Sequence, residues 1–220
     1  MHSVDTPSIL YFGTPVVLIS TLNEDGSANL APMSSIFWLG WRCMIGLAAT
    51  SKTTANIART GECVLNLPSD DMAGAVNRLA LTTGSDPVPQ SKRQRGYVHC
   101  ADKFARAGLC EQPSLIVRPP RAAECPVQLE ARLESTHQMA QKDWLGGAMC
   151  FELRIVQAHL SDAIMRADEP DHVDPDLWRP LIMSFQKFYG LGPQREPSIL
   201  ALVPERLYRT PDHARARVSA

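Results

Sequence analysis

The stretch ATSKTTANIARTG at 49–61 places Thr50, Ser51, Lys52, Thr53 and Thr54 directly ahead of a helical pattern that closes on Gly61. A helix start leaves its first backbone N–H groups without intrahelical partners and carries a partial positive charge. Hydroxyls and one ammonium added at that point make an anion site, and phosphate is the anion that uses three or four donors at once. A single Ser or Thr is enough to cap a helix, so ordinary capping is the competing explanation but leaves most of this polar run unused. No second chemistry competes with it. The six histidines are dispersed, and neither a Ser-His-Asp arrangement nor a pair of carboxylates stands out, which argues against a hydrolase and names no catalytic acid or base. Six cysteines occur without a C-x-x-C pair, and His99-Cys100 is the only close His/Cys pair, so reduced thiols are expected and no metal site.

The elements around the polar run are mostly strands. Residues 14–22 and 27–38 alternate around the turn sequence NEDG at 23–26 and read as a hairpin. Pro32 cannot donate to a ladder, so its strand is expected at an edge or a bulge, freeing backbone groups at 31–35 for a ligand. Residues 42–49 form a third strand that ends at the polar run. Ser51 or Thr50 serves as N-cap, and Gly61 fits the left-handed position after the helix. A fourth strand at 62–68 and a helix at 69–81 follow. Residues 82–98 read as a polar surface loop in which Lys92, Arg93 and Arg95 are candidates to meet a nucleotide phosphate. A short helix at 102–109 and paired strands, clearest at 128–133 and 151–156, complete the pattern. Many short strands with few short helices predict a small barrel rather than a doubly wound sheet.

A chain of 220 residues can bury one sizeable core, and 45% hydrophobic with 20% charged residues is ordinary for a globular protein. The net charge of −1 gives no global pull toward nucleic acid or an anionic membrane. The least charged stretch, 26–41, is interrupted by Pro32 and too short to span a bilayer as a helix. The N-terminus MHSVDTPSILYFG lacks the basic and apolar regions of a signal peptide, so a cytoplasmic location is expected.

Several motifs in order resemble the flavin reductase-like family, the FMN-binding split barrels. They are PVVLISTLNEDGSANLAPMSSIFWLG, with Ala31-Pro32-Met33-Ser34 inside it, then ATSKTTANI, GECVLNLP, DKFARAGL and CPVQLEARLES, covering roughly residues 8 to 160. The resemblance implies a mainly β fold with short helices, a six-stranded Greek-key barrel over 1–165 with a C-terminal extension over 166–220. It implies that Asn29, Ala31, Pro32, Met33, Ser34 and Ser35 lie along the isoalloxazine ring. It also implies that Thr50, Ser51, Lys52, Thr53 and Thr54, with Asn56, hold the ribityl phosphate of FMN. Lys52 stands where Arg is frequent, exchanging a bidentate fork for a point charge. The implied activity is hydride transfer from NADH or NADPH to flavin, in a homodimer; the apolar group Phe37, Trp38 and Trp41 is read as its surface, with burial in the core of one subunit as the competing explanation. Tyr189 or Phe185 is a candidate to stack near the open face of the ring, with simple packing against the barrel as the alternative. One reading is an NAD(P)H:flavin oxidoreductase that reduces FMN for a partner monooxygenase or releases it. The other is an FMN-binding electron carrier with no nicotinamide site of its own.

Overall fold

The computed structural model describes residues 2–140, 147–169 and 171–218. Its main sheet has seven strands, β1 (Val17–Leu22), β2 (Ala28–Met33), β3 (Ile36–Leu39), β4 (Arg42–Ala48), β5 (Glu62–Leu67), β6 (Val127–Met139) and β7 (Ala148–Leu160). The hydrogen-bonded order is β2-β1-β5-β6-β7-β4-β3. The two edges, β2 and β3, are consecutive in the chain and separated only by Ser34 and Ser35, so the sheet curls into a barrel whose split lies at those two residues. Six strands were expected. The run 27–38 is not one strand but two, because it leaves one edge of the sheet at Met33 and enters the other at Ile36. Pro32, opposite Leu18, accordingly sits on an edge strand where its missing N–H costs no ladder bond.

Alternation along β1 and the residues just before it explains why PVVLI, 15–19, is apolar at every position. Val17 and Ile19 face the barrel interior with Ile45, Leu47, Ile57, Leu65, Phe151 and Leu153. Val16 and Leu18 face outward into a second core with Leu30, Val76, Leu79, Phe104 and Leu181. A strand buried on both faces has no solvent side on which to place polar residues. Helix α1 (Lys52–Thr60) plugs the first core with Ile57 and ends at Gly61, whose φ of 69° is the left-handed cap expected there. Helices α2 (Ala73–Arg78), α3 (Gln90–Arg93) and α4 (Lys103–Ala107) follow, and α2 and α4 supply the second core.

The expected surface loop at 82–98 is instead structured. Thr82–Thr83 pairs in parallel with Val98–His99 across α3, and Lys92 is buried rather than solvated. Toward the C-terminus, Ile182–Ser184 pairs with both Thr14–Pro15 and Lys187–Tyr189. Helix α5 (Pro211–Val218) is pinned to the barrel by Asp212, which lies 2.8 Å from Arg42, and by His213 packed edge-on against Trp41. The Arg42 guanidinium holds the Asp212 carboxyl below the ordinary range.

Glu130 on β6 is fully buried and accepts backbone N–H bonds from Leu115, Ile116 and Val117, with His159 Nε2 at 2.7 Å. Burial pushes its pKa up, but these donors outweigh that cost and hold it below the ordinary value of 4.5. A carboxyl with a depressed folded-state pKa stabilises the fold above its unfolded value, and that contribution disappears as pH falls through the folded value. Glu130→Gln is therefore expected to lower unfolding free energy by about 2–4 kcal/mol at neutral pH. In denaturant titrations the gap to the parent should narrow as pH drops below 4.5. A gap independent of pH would exclude the carboxylate as its source.

Candidate functional site

The chain turns at Ala49 and Thr50 from the end of β4 into α1. Ser51 is the N-cap, extended at φ −81° and ψ 149°, and its Oγ accepts from Thr54 N at 3.0 Å. Thr54 Oγ1 returns a bond to Ala48 O at 2.8 Å, fixing the angle between strand and helix. No acidic residue lies in the first turn, so the helix carries no carboxylate of its own against its positive end.

The six polar residues proposed here for phosphate divide into two groups. Thr50 is exposed and Ser51 and Lys52 are half-buried, whereas Thr53, Thr54 and Asn56 are buried. The buried group is engaged inside the protein. Thr53 Oγ1 accepts from Asn29 Nδ2 at 3.2 Å, and Asn56 Nδ2 donates to Thr21 Oγ1 at 3.1 Å and Asn23 Oδ1 at 3.0 Å. Thr53 thus ties the helix start to Asn29, so the two separate sequence motifs meet at one contact.

Asn29 is the junction. Its Nδ2 also donates to Thr21 Oγ1 at 3.3 Å, while its Oδ1 is buried without a partner among the described residues. A buried amide oxygen left unpaired is costly and points to a ligand donor. Gly84 passes directly over it. A Cβ built at Gly84 would lie 2.5 Å from Asn29 Oδ1 and 3.3 Å from Lys52 Cγ, so only glycine lets the 82–85 segment run between those residues. Further along β2, Ala31, Pro32 and Met33 are half-buried on the edge strand. Ser34 and Ser35 follow at the split, where Ser35 O accepts from Gly46 N at 2.8 Å.

Two lysines join this region that the pattern of the sequence did not mark as a pair. Lys92 Nζ donates to Thr83 Oγ1 at 3.2 Å and lies 5.6 Å from the Tyr97 ring centre. Lys103, the first residue of α4, is only 3% exposed, and α4 packs against β2. Burial lowers the Lys103 pKa to about 8, with a further push from the charge on Lys92. Lys92 is lowered by burial and then by Arg95. Among the described residues neither lysine has a carboxylate partner. Lys92 is completed by Thr83 and Tyr97, whereas a buried ammonium without such partners is unfavourable unless an electron-rich group completes it. Lys103 sits in the motif DKFARAGL, whose legible content was a capped helix, with Asp102 Oδ1 accepting from Ala105 N; nothing in its spacing announced a buried cation.

Hydroxyls and Lys52 at a helix start, an orphaned amide acceptor and, through Thr83 beside Gly84, the Lys92 ammonium lie together on the β2 side of the barrel, with Lys103 on the adjoining α4. That chemistry fits a ligand carrying a phosphate and a polar heteroaromatic edge, as FMN does. Among the described residues no group of three His, Cys, Asp or Glu side chains is arranged to hold a metal. Nor is any helix long and apolar enough to cross a membrane. All six cysteines are free, and burial pushes Cys43 and Cys125 up to about 12, which makes them poor nucleophiles.

Comparison with known proteins agrees with this geometry. Residues 9–192 match the family model described as the flavin reductase like domain. A Bacillus subtilis (strain 168) protein, YdfE, is 36% identical over 186 residues, covering 84% of this chain and 87% of its own. Flavoredoxin of Desulfovibrio vulgaris (Miyazaki F) superposes with a TM-score of 0.72 at 19% identity, covering 91% of this chain and 98% of that one. Nitrilotriacetate monooxygenase component B from Bacillus cereus gives 0.69 at 18% identity, covering 90% and 98%. At those identities the two structures speak for the fold, and the family model speaks for membership: the chain belongs to the flavin reductase-like family of split-barrel proteins.

Proposed function

We propose that this protein is a flavoprotein oxidoreductase that holds FMN and takes hydride from NADH or NADPH. The observation that carries the reading is the convergence on Asn29, whose side-chain oxygen is unpartnered, of the helix start through Thr53 and of the crossing at Gly84. The cofactor, when bound, supplies the hydride chemistry. The chain supplies the rest. Thr50, Ser51 and Lys52, with the first N–H groups of α1, take the phosphate. The edge strand from Asn29 through Ala31, Pro32 and Met33 to Ser34 and Ser35 lines the ring. Thr53, Thr54 and Asn56 act behind them, by fixing the helix against the first hairpin. Lys103 and Lys92 complete the site with positive charge, compensating electron density without reorganisation because both are already buried.

The structural neighbour named as a monooxygenase component supports a place in a two-component system, with a monooxygenase receiving reduced flavin. A cytoplasmic homodimer is part of the same reading. Phe37, on the edge strand β3, is 56% exposed and Leu39 beside it is exposed too, whereas Trp38 and Trp41 pack against the core. The dimer surface is thus Phe37 with Leu39 rather than the three aromatic residues together. Residues 166–220 form an extension on the 1–165 barrel. The second reading, an FMN-binding electron carrier, draws on the resemblance in fold to a flavoredoxin.

Purified protein mixed with FMN and each nicotinamide separates the two readings. Oxidation of NADH or NADPH that requires both protein and FMN is the expected result. FMN binding with no nicotinamide oxidation by either donor would establish the carrier instead. Lys103 gives an independent check through binding alone. In flavin fluorescence titrations Lys103→Met should weaken FMN by roughly tenfold or more, the value of one charge-assisted hydrogen bond. Because burial lowers the Lys103 pKa to about 8, parental affinity should fall as pH rises from 8 to 10, and the variant should lose the part of that slope that Lys103 supplies, leaving only what Lys92 contributes. For the dimer, light scattering at micromolar concentration should give twice the chain mass, and Phe37→Asp should shift it toward monomer.

A further inference from the structure

The positive end of α1 is answered by a carboxylate from another element. Glu24, in the turn between β1 and β2, places Oε2 2.5 Å from Lys52 Nζ. Lys52, Asn56 and Arg59 are spaced i, i+4 and i+7, so they share one helix face. That face grips the hairpin residue by residue: Lys52 meets Glu24, Asn56 meets Asn23, and Arg59 donates to Leu22 O. The lower two contacts are enough to fix the helix on the hairpin, since both end on polar groups close to the sheet. The uppermost contact differs. The Glu24 side chain is largely exposed and ends at the cation of the candidate phosphate site. Asp25 follows it, but its carboxylate turns back to Ser27 N and Ser27 Oγ.

We propose that Glu24 is a built-in competitor for the phosphate of the flavin, setting how strongly the site prefers FMN over unphosphorylated riboflavin. The proposal rests on the flavin reading above. In this structure a carboxylate oxygen of Glu24 takes one of the three N–H donors of the Lys52 ammonium and offsets its charge. A phosphate arriving at Thr50, Ser51 and Lys52 must displace that carboxylate, or accept a negative neighbour close to its own charge. Either route weakens phosphate binding and leaves contacts to the ring unaffected. Because Glu24 is solvent-exposed, displacement is inexpensive, and the effect is a modest bias rather than a block. Such a bias favours exchange of FMN over permanent retention. It also gives Lys52 the property of a point charge that can change partners, which a bidentate guanidinium would resist.

The test compares the parent with Glu24→Gln, measuring dissociation constants for FMN and for riboflavin by quenching of flavin fluorescence. Glu24→Gln should tighten FMN by roughly threefold to tenfold at low ionic strength, with the gain shrinking in high salt. Riboflavin affinity should stay within about twofold of the parent, the scatter expected of a surface substitution. Unchanged or weaker FMN binding overturns the proposal and makes Glu24 a strut that merely orients Lys52. Equal tightening of both flavins also overturns it, because the effect would not run through phosphate. Failure of the parent to bind either flavin is a different result: it removes the flavin reading itself. Binding of riboflavin by the parent, with no response of FMN to the substitution, removes only the role given to Glu24.

Discussion

The barrel depends on one constraint at residues 34–35: a single extended run must serve as both edges of the same sheet. β2 can pair only with β1, and β3 only with β4, so the chain leaves its partner at Met33 and finds the opposite edge at Ile36. Two residues cannot cross a barrel, so the edges have to come together, and the sheet is forced to close around the core of Ile45, Leu65 and Phe151. An edge left in this way has backbone groups that the ladder does not use. In the proposed reading those groups lie along a ligand. Closure of the fold and opening of a site are then the same event.

Burial on both faces of β1 follows from that closure. One face belongs to the barrel interior, and the other must be covered by α2 and α4, which brings α4, with Lys103 as its first residue, against β2. Position therefore precedes chemistry for this lysine. Phe104, Ala107 and Leu109 are needed in the second core, and the first residue of the helix that carries them is dragged under the surface with them. A lysine buried as a by-product of packing would normally be costly. Thr83 and Tyr97 accommodate Lys92, and for Lys103, which has no carboxylate partner among the described residues, the proposed ligand would supply the missing electron-rich group.

Much of this was legible because local rules and tertiary needs agree. Ser51 caps, Gly61 adopts the left-handed turn, and Pro32 marks an edge, each for a reason contained within a few residues. The missing information lies in contacts between distant segments. Thr53, Thr54 and Asn56 have the same residue types as Thr50 and Ser51, and only the presence of Asn29, Thr21 and Asn23 opposite them decides which group turns inward. The stretch 82–98 reads as solvated because its residues are polar, yet Thr83 and Tyr97 give Lys92 partners and let it be buried. Glycine at 84 carries no signal on its own, since the need for it is set by Asn29, 55 positions earlier. Polar residues satisfied by one another and polar residues reserved for a ligand look alike in one dimension.

The distribution of charge around α1 separates these two roles in three dimensions. Asn56 and Arg59 bind groups at the body of the hairpin, so replacing their partners would loosen the fold. Lys52 binds a side chain that reaches it from solvent, so its partner can be exchanged at little structural cost. Along a single helix face the partner therefore changes from a backbone carbonyl at Arg59 to an exposed side chain at Lys52, toward the N-terminus, where backbone N–H groups are unpaired and an anion is most favoured. A site that must gain and lose a charged ligand is best placed at that exchangeable end, with the fixed contacts one and two turns below it. The helix can then keep its position on the barrel whether its uppermost cation faces a carboxylate or a phosphate.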